Sequence, residues 1–207
     1  MKRLLLYVHY NKYDELSGHV LYQLEQLRPL FSKLIVISNS QLTKSATVTL
    51  EELGIAEVIQ RENLGFDFAA WRDGMAHVGF EHLTDFDSVT LMNDTCFGPL
   101  WDLSNIVEGF EQRQNVDFWG MTNFRKTKYF DEHLQSYFMF FKSLDSTLKR
   151  KNIEILISCF TETNPGYEEI KIRNARFILN DLLAEQKQHT NFIVLNYYLF
   201  YYINSSI

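Results

Sequence analysis

The sequence predicts an α/β protein whose mostly parallel sheet is flanked by helices. Three observations predict it. Short apolar runs alternate with helical stripes from residue 4 to about 110. The runs are continuous, as in strands buried on both faces. Polar residues follow the runs directly, where open α/β sheets bind their ligands. Such alternation calls for right-handed βαβ units with helices on both faces of the sheet.

The elements follow in order. Leu4 to Val8 is a short apolar run suited to a buried strand. Ser17 is a candidate cap for a helix carrying Val20, Leu24, Leu27 and Phe31 at helical spacing. Leu34 to Ile37 reads as the second strand, residues 46–53 as a short helix closed by Gly54, and Glu57 to Gln60 as the third strand. The turn Glu62 to Asp67 leads into a helix through Ala69, Ala70, Trp71 and Met75. Ser88 to Met92 is a fourth strand, and Pro99 marks a loop. Leu103, Ile106, Val107 and Phe110 form a helical stripe with Asp102 as its candidate cap. Asp117 to Thr122 is a fifth strand, and Tyr137 to Phe141 a sixth element.

Four polar strand ends are expected to converge on one crevice: His9 to Asn11, Ser38 to Ser40, Asn63 to Asp67, and Asn93 to Thr95. Asn93, Asp94 and Thr95 each offer an oxygen. Mg²⁺ and Mn²⁺ prefer oxygen ligands, and such a cation can bridge the phosphates of a nucleotide sugar. The same tripeptide also reads as a plain capping turn. Gly65 can take a positive φ and let backbone approach a ligand, at the start of a helix whose N-terminus favours anions. Asp67 either caps that helix or touches the ribose or base. Arg72, one turn on, either faces a diphosphate or is a solvated surface residue.

The bulk numbers narrow the partners. The chain has 207 residues and a formal net charge of -6. Such an acidic balance argues against nucleic acid as a partner. Cys96 and Cys159 have no metal-ligand spacing and read as reduced thiols. The apolar run after Met1-Lys2-Arg3 is too short for a leader and continues as a strand, so a cytoplasmic enzyme with no removed leader is expected.

Four segments, in order, carry a resemblance. They are Leu5-Leu6-Tyr7-Val8-His9-Tyr10; Glu62-Asn63-Leu64-Gly65-Phe66-Asp67 with Trp71; Leu91-Met92-Asn93-Asp94-Thr95 with Gly98-Pro99; and Phe118-Trp119-Gly120-Met121-Thr122 followed by His133-Leu134-Gln135-Ser136-Tyr137-Phe138. Over residues 1 to about 142 the chain resembles the rhamnan synthesis F family. That family is similar to GT-A glycosyltransferases, whose sheet is Rossmann-like. The resemblance implies transfer of L-rhamnose from dTDP-L-rhamnose to a growing lipid-linked glycan.

The donor site expected at the strand ends comprises His9, Tyr10, Asn11, Asn39, Asn63, Gly65, Asp67, Asn93 and Asp94, with Arg72 one turn into the helix. Tyr10-Asn11 and Asn39-Ser40 match positions around the nucleotide base in related folds. Many GT-A enzymes carry two aspartates where this chain has Asn93-Asp94-Thr95, so Asp94 alone stands as the expected metal ligand. An inverting transferase also needs a general base, usually a carboxylate. Asp131 and Glu132 are the candidates, with His133, Gln135 and Tyr137 toward the acceptor. His133 is equally a late metal ligand or a structural histidine hydrogen-bonded to backbone. Trp71, Trp119 and Tyr137 either pack on sugar faces or belong to the core.

After about residue 142 the texture changes. Eight of the nine glycines and all three tryptophans lie before it. Residues 1–142 are therefore expected to form the nucleotide-sugar-binding domain, and residues 143–207 an atypical C-terminal segment, truncated or frame-altered. That segment has one amphipathic stripe, Ile172, Ala175, Leu179, Leu182 and Leu183. Its run Phe192 to Ile203 is too short to span a bilayer, which takes ~20 apolar residues. It suits a buried strand, a peripheral contact with the inner face of the cell membrane, or a poorly formed end. The alternative to an active enzyme is a non-catalytic sugar-nucleotide- or glycan-binding remnant.

Overall fold

The computed structural model describes residues 1–114, 116, 118–125, 127–128, 133–142, 193–194 and 201–202. Its centre is a seven-stranded sheet. The first half contains β1 (Arg3–His9), β2 (Lys33–Ser38), β3 (Glu57–Gln60) and β4 (Ser88–Asn93). β1 lies between β2 and β4, and β3 lies outside β2, all parallel. The two-residue β5 (Cys96–Phe97) and the strand β6 (Phe118–Gly120) follow. β7 (Asn123–Phe124) and β8 (His133–Leu134) form a small antiparallel pair. β9 (Phe138–Lys142) inserts antiparallel between β4 and β6.

The mostly parallel sheet agrees with the sequence expectation, and the inserted antiparallel strand adds a detail the pattern lacked. From the C-terminal segment, β10 (Ile193–Val194) pairs parallel with β6, and β11 (Tyr201–Tyr202) pairs antiparallel with β5. The rest of 143–207, including the stripe from Ile172 to Leu183, lies outside the described residues, as do Asp131, Glu132 and Cys159.

The continuous apolar runs are explained by two cores, one on each face. From β1, Leu5 and Tyr7 enter a core with Val20, Leu24 and Leu27 of α1 (Gly18–Leu27). That core also takes Leu50 of α2 (Lys44–Glu52) and Val107 and Phe110 of α4 (Ser104–Glu111). Leu4, Leu6 and Val8 point the other way, to Phe68, Ala70, Trp71 and Met75 of α3 (Phe66–Val78). Alternate side chains of one strand leave by opposite faces, so a strand covered on both sides must be apolar throughout. Trp71 and Trp119 are both core residues, at 1% exposure. That removes them as sugar-packing faces.

The helix ends differ from expectation in three places. Ser17 occupies the cap position of α1, yet its side chain caps nothing, because its hydroxyl meets His19 Nδ1 at 2.9 Å. The helix stops at Leu27, where Pro29 sets a short 3₁₀ turn over Arg28–Leu30, and Phe31 joins the core from just beyond it. The cap position of α4 is Leu103. Asp102, one residue earlier, still accepts from Ser104 N at 2.9 Å and Ser104 Oγ at 2.6 Å. Thr43 caps α2 by accepting from Ala46 N. Among the described residues no helix is long and apolar enough to cross a membrane.

Candidate functional site

The carboxyl ends of β1, β2 and β4 are adjacent because those strands are neighbours in register, with His9 beside Ser38 and Val8 beside Asn93. The segments leaving them are stitched together by hydrogen bonds. Tyr10 N donates to Asp94 Oδ2 at 2.9 Å. Asn11 N donates to Ser40 Oγ, which donates back to Asn11 O, both at 2.8 Å. Asn39 N donates to His9 O at 2.8 Å. Asn93 Nδ2 donates to Asp67 Oδ2 at 2.6 Å, joining the end of β4 to the first turn of α3. Asn93 Oδ1 in turn accepts from Thr95 N and Thr95 Oγ1.

Two carboxylates therefore meet at this end of the sheet. Asp94 is pushed up to about 7, first by burial. The Tyr10 N–H pulls the other way, and the nearby charge of Asp67 adds to the rise. A buried carboxyl with a second carboxylate's charge nearby favours taking a cation or a proton. Asn63 Oδ1, in the turn before α3, is buried without a hydrogen-bond partner among the described residues. Buried polar atoms are nearly always paired, so such an atom fits a ligand-facing position.

Gly65 has φ +72 and forms the cap residue of α3. A Cβ there would stand 2.6 Å from Ala69 Cβ, so the turn requires glycine on two counts. Phe66 also adopts a positive φ, of 49°, and its ring is exposed.

Several expected residues are placed differently. His9 is fully buried, with Nδ1 3.1 Å from Ser38 Oγ. Burial lowers its pKa to about 4, with His19 adding to the fall and the Glu15 backbone opposing it. It is a neutral member of the strand end. Arg72 is engaged by Asp73, with Nε at 2.8 Å and Nη2 at 2.5 Å from Oδ1. Tyr137 is buried, with its hydroxyl donating to Thr122 Oγ1 at 2.9 Å and its carbonyl accepting from Asn93 N at 3.2 Å. Burial lifts its phenol to about 12. Gln135 N donates to Thr122 O, and His133 lies in register with Phe124.

Two residues at the site belong to none of the motifs read from the sequence. His19 Nε2 lies 3.1 Å from Asp94 O, with Ser17 on its other ring nitrogen. Arg61, directly after β3, reaches Asn39, Leu64 and Asp73. Their positions beside a helix cap and a strand end were the available hints.

A family model described as rhamnan synthesis protein F matches residues 34–154, more than half of the chain. The virulence protein VirA of Vibrio anguillarum (strain ATCC 68554 / 775) is 30% identical over 114 residues, covering 55% of this chain and 33% of that protein. The chain thus spans about a third of the length of the curated relative it matches. Among solved structures, a putative glucose-1-phosphate thymidylyltransferase from Bacillus anthracis, in complex with a sucrose, has a TM-score of 0.55 at 12% identity. The match covers 93% of this chain and 87% of that one, and it is a likeness of fold.

Proposed function

This chain belongs to the rhamnan synthesis protein F family, and from that premise we propose that it is a glycosyltransferase. The proposed reaction moves L-rhamnose from dTDP-L-rhamnose to a growing rhamnose-containing cell-surface polysaccharide. Family membership supports polysaccharide synthesis, and the α/β fold suits a glycosyl or nucleotidyl transferase. The observation that carries the site assignment is the joining of Asp94 to Tyr10 and of Asn93 to Asp67. These contacts unite three segments at the end of the sheet where such folds bind ligands.

In this reading Tyr10, Asn11, Asn39 and Ser40 form the base side of the donor crevice. Asn63, Gly65, Asp67, Asn93 and Asp94 form the diphosphate side. Asp94 and Asp67 supply the hard oxygen donors that suit Mg²⁺ or Mn²⁺. Among the described residues no three His, Cys, Asp or Glu side chains group to hold a metal ion, so a cation here depends on the donor's phosphate oxygens as well. When bound, the cation neutralises the charge that develops on the leaving diphosphate. Asp94 orients the loop after β1 through the Tyr10 N–H, and Asn93 fixes Asp67 at the start of α3. Asp131 or Glu132 takes the proton from the acceptor hydroxyl. His133 and Gln135 are assigned to acceptor binding, and the acceptor is a lipid-linked glycan met at the inner face of the membrane.

A second reading, donor binding without transfer, is favoured by the single carboxylate of the Asn93-Asp94-Thr95 segment. One experiment separates the two. The chain is incubated with dTDP-L-rhamnose, Mg²⁺ and a rhamnose-terminated acceptor, and binding and dTDP release are followed independently. Release that depends on acceptor supports transfer. Saturable binding without release supports the second reading, and the absence of binding overturns both.

A further inference from the structure

We infer that Arg61 is a positioning residue that holds the two walls of the donor crevice in register. The word "donor" rests on the function proposed above; the geometry does not. Arg61 leaves the end of β3 and its side chain is only 12% exposed. Its three nitrogens go to three different segments. Nη1 donates to Asn39 Oδ1 at 2.5 Å, on the base side after β2. Nη2 donates to Leu64 O at 2.7 Å, in the turn that precedes Gly65. Nε donates to Asp73 Oδ2 at 2.8 Å, on α3. The Arg61 N–H also donates to Ser38 O at 2.9 Å, anchoring the residue to the strand end itself.

A planar guanidinium directs five N–H donors outward in its own plane and can hold three acceptors on three segments at once, and an ammonium on a flexible stem cannot do so with the same geometry. The acceptors matter because each belongs to a segment of the site. Asn39 is tied through its own N–H to His9. Leu64 sits one residue before the glycine whose left-handed conformation starts α3. Asp73 belongs to the helix that carries Asp67. Arg61 touches neither Asp94 nor Tyr10 in any of these contacts, so its action on the crevice runs through the loops.

The test is Arg61→Lys, with Arg61→Ala beside it, in the full chain. Backbone amide exchange is read without ligand, and dTDP affinity with Mg²⁺ by calorimetry. Charged hydrogen bonds of this kind correspond to roughly tenfold or more in a local opening equilibrium. Arg61→Lys is expected to speed exchange about tenfold at Asn39 and Leu64, while Leu91 and Met92 in β4 keep wild-type rates. It is expected to weaken dTDP binding by a similar factor and, in a transfer assay, to raise KM for the donor with kcat little changed. Wild-type exchange at Asn39 and Leu64 overturns the inference. So does exchange accelerated equally in β4, because that is global destabilisation. Failure of the wild-type chain to bind dTDP counts against the proposed function, and the exchange data then still decide the role of Arg61.

Discussion

Asp94 carries a cost that its surroundings make legible. Its carboxyl stands near 7 against an ordinary 3.8, so the folded chain holds a proton that the unfolded chain releases. Between those two values the folded state binds more protons, and stability falls as pH rises from about 4 to about 7. Asp94→Asn removes the burden. The variant is expected to exceed wild type by on the order of 1–3 kcal/mol at pH 8, a figure reduced for partial contact with solvent, with the gap closing near pH 4. Urea denaturation at the two pH values checks this, and equal gaps at both would refute it. The same substitution is expected to lower transfer by at least about a hundredfold, since a cation contact at the leaving group is worth several kcal/mol. Added stability with lost activity is the pairing expected of a site residue.

Helix α3 shows how an element is fitted to the site through glycine. Gly65→Ala places a side chain on a left-handed residue and against Ala69 Cβ, neither of which can yield cheaply. A loss of about 1–3 kcal/mol is expected, read as a lowered urea midpoint with an unchanged slope. Gly74, two turns on, lets the helix lie close on the sheet, because a Cβ there would collide with Ile37 Cδ1. Since that atom ends a flexible side chain, Gly74→Ala is expected to cost less than Gly65→Ala. The reverse ranking would show that the turn tolerates strain better than the helix–sheet contact. The turn and its glycine are visible in the sequence. Arg61 behind it is not, since its partners Asn39 and Asp73 stand 22 and 12 residues away.

Across the whole molecule the two ends of the sheet have different tasks. At the far end from Asp94, Arg3 grips Glu111 through Nε at 2.7 Å and Nη2 at 2.6 Å, and Ser88 Oγ adds a contact at 3.4 Å. Glu111 is 4% exposed, and its charge is matched there by Arg3. Glu111→Ala leaves the guanidinium without its carboxylate and is expected to destabilise by roughly 3–5 kcal/mol. Its dTDP affinity is expected to stay at the wild-type value, because the pair lies at the opposite end of β1. Conversely, dTDP with Mg²⁺ at about a hundredfold over Kd is expected to stabilise wild type by ~2.7 kcal/mol, raising Tm by several degrees, and Asp94→Asn much less. Equal shifts in both proteins would place the nucleotide elsewhere.

By itself the sequence determined the α/β class, the first four strands, and the polar ends that mark the candidate site. These are local properties: runs of Leu, Ile and Val, helical spacing, a glycine before an acidic helix start. Tertiary structure decided the rest. It set β9 antiparallel between β4 and β6, because strand direction depends on the path of the chain and not on the apolar run. It sent Trp71 and Trp119 into the cores, and it enclosed His9. It also paired Asn93 with Asp67 across 26 residues and buried the Asp94 carboxyl with the charge of Asp67 nearby. No spacing rule reaches that far: hydrogen-bond partners and the loss of solvent around a charge exist only once the segments have been brought together.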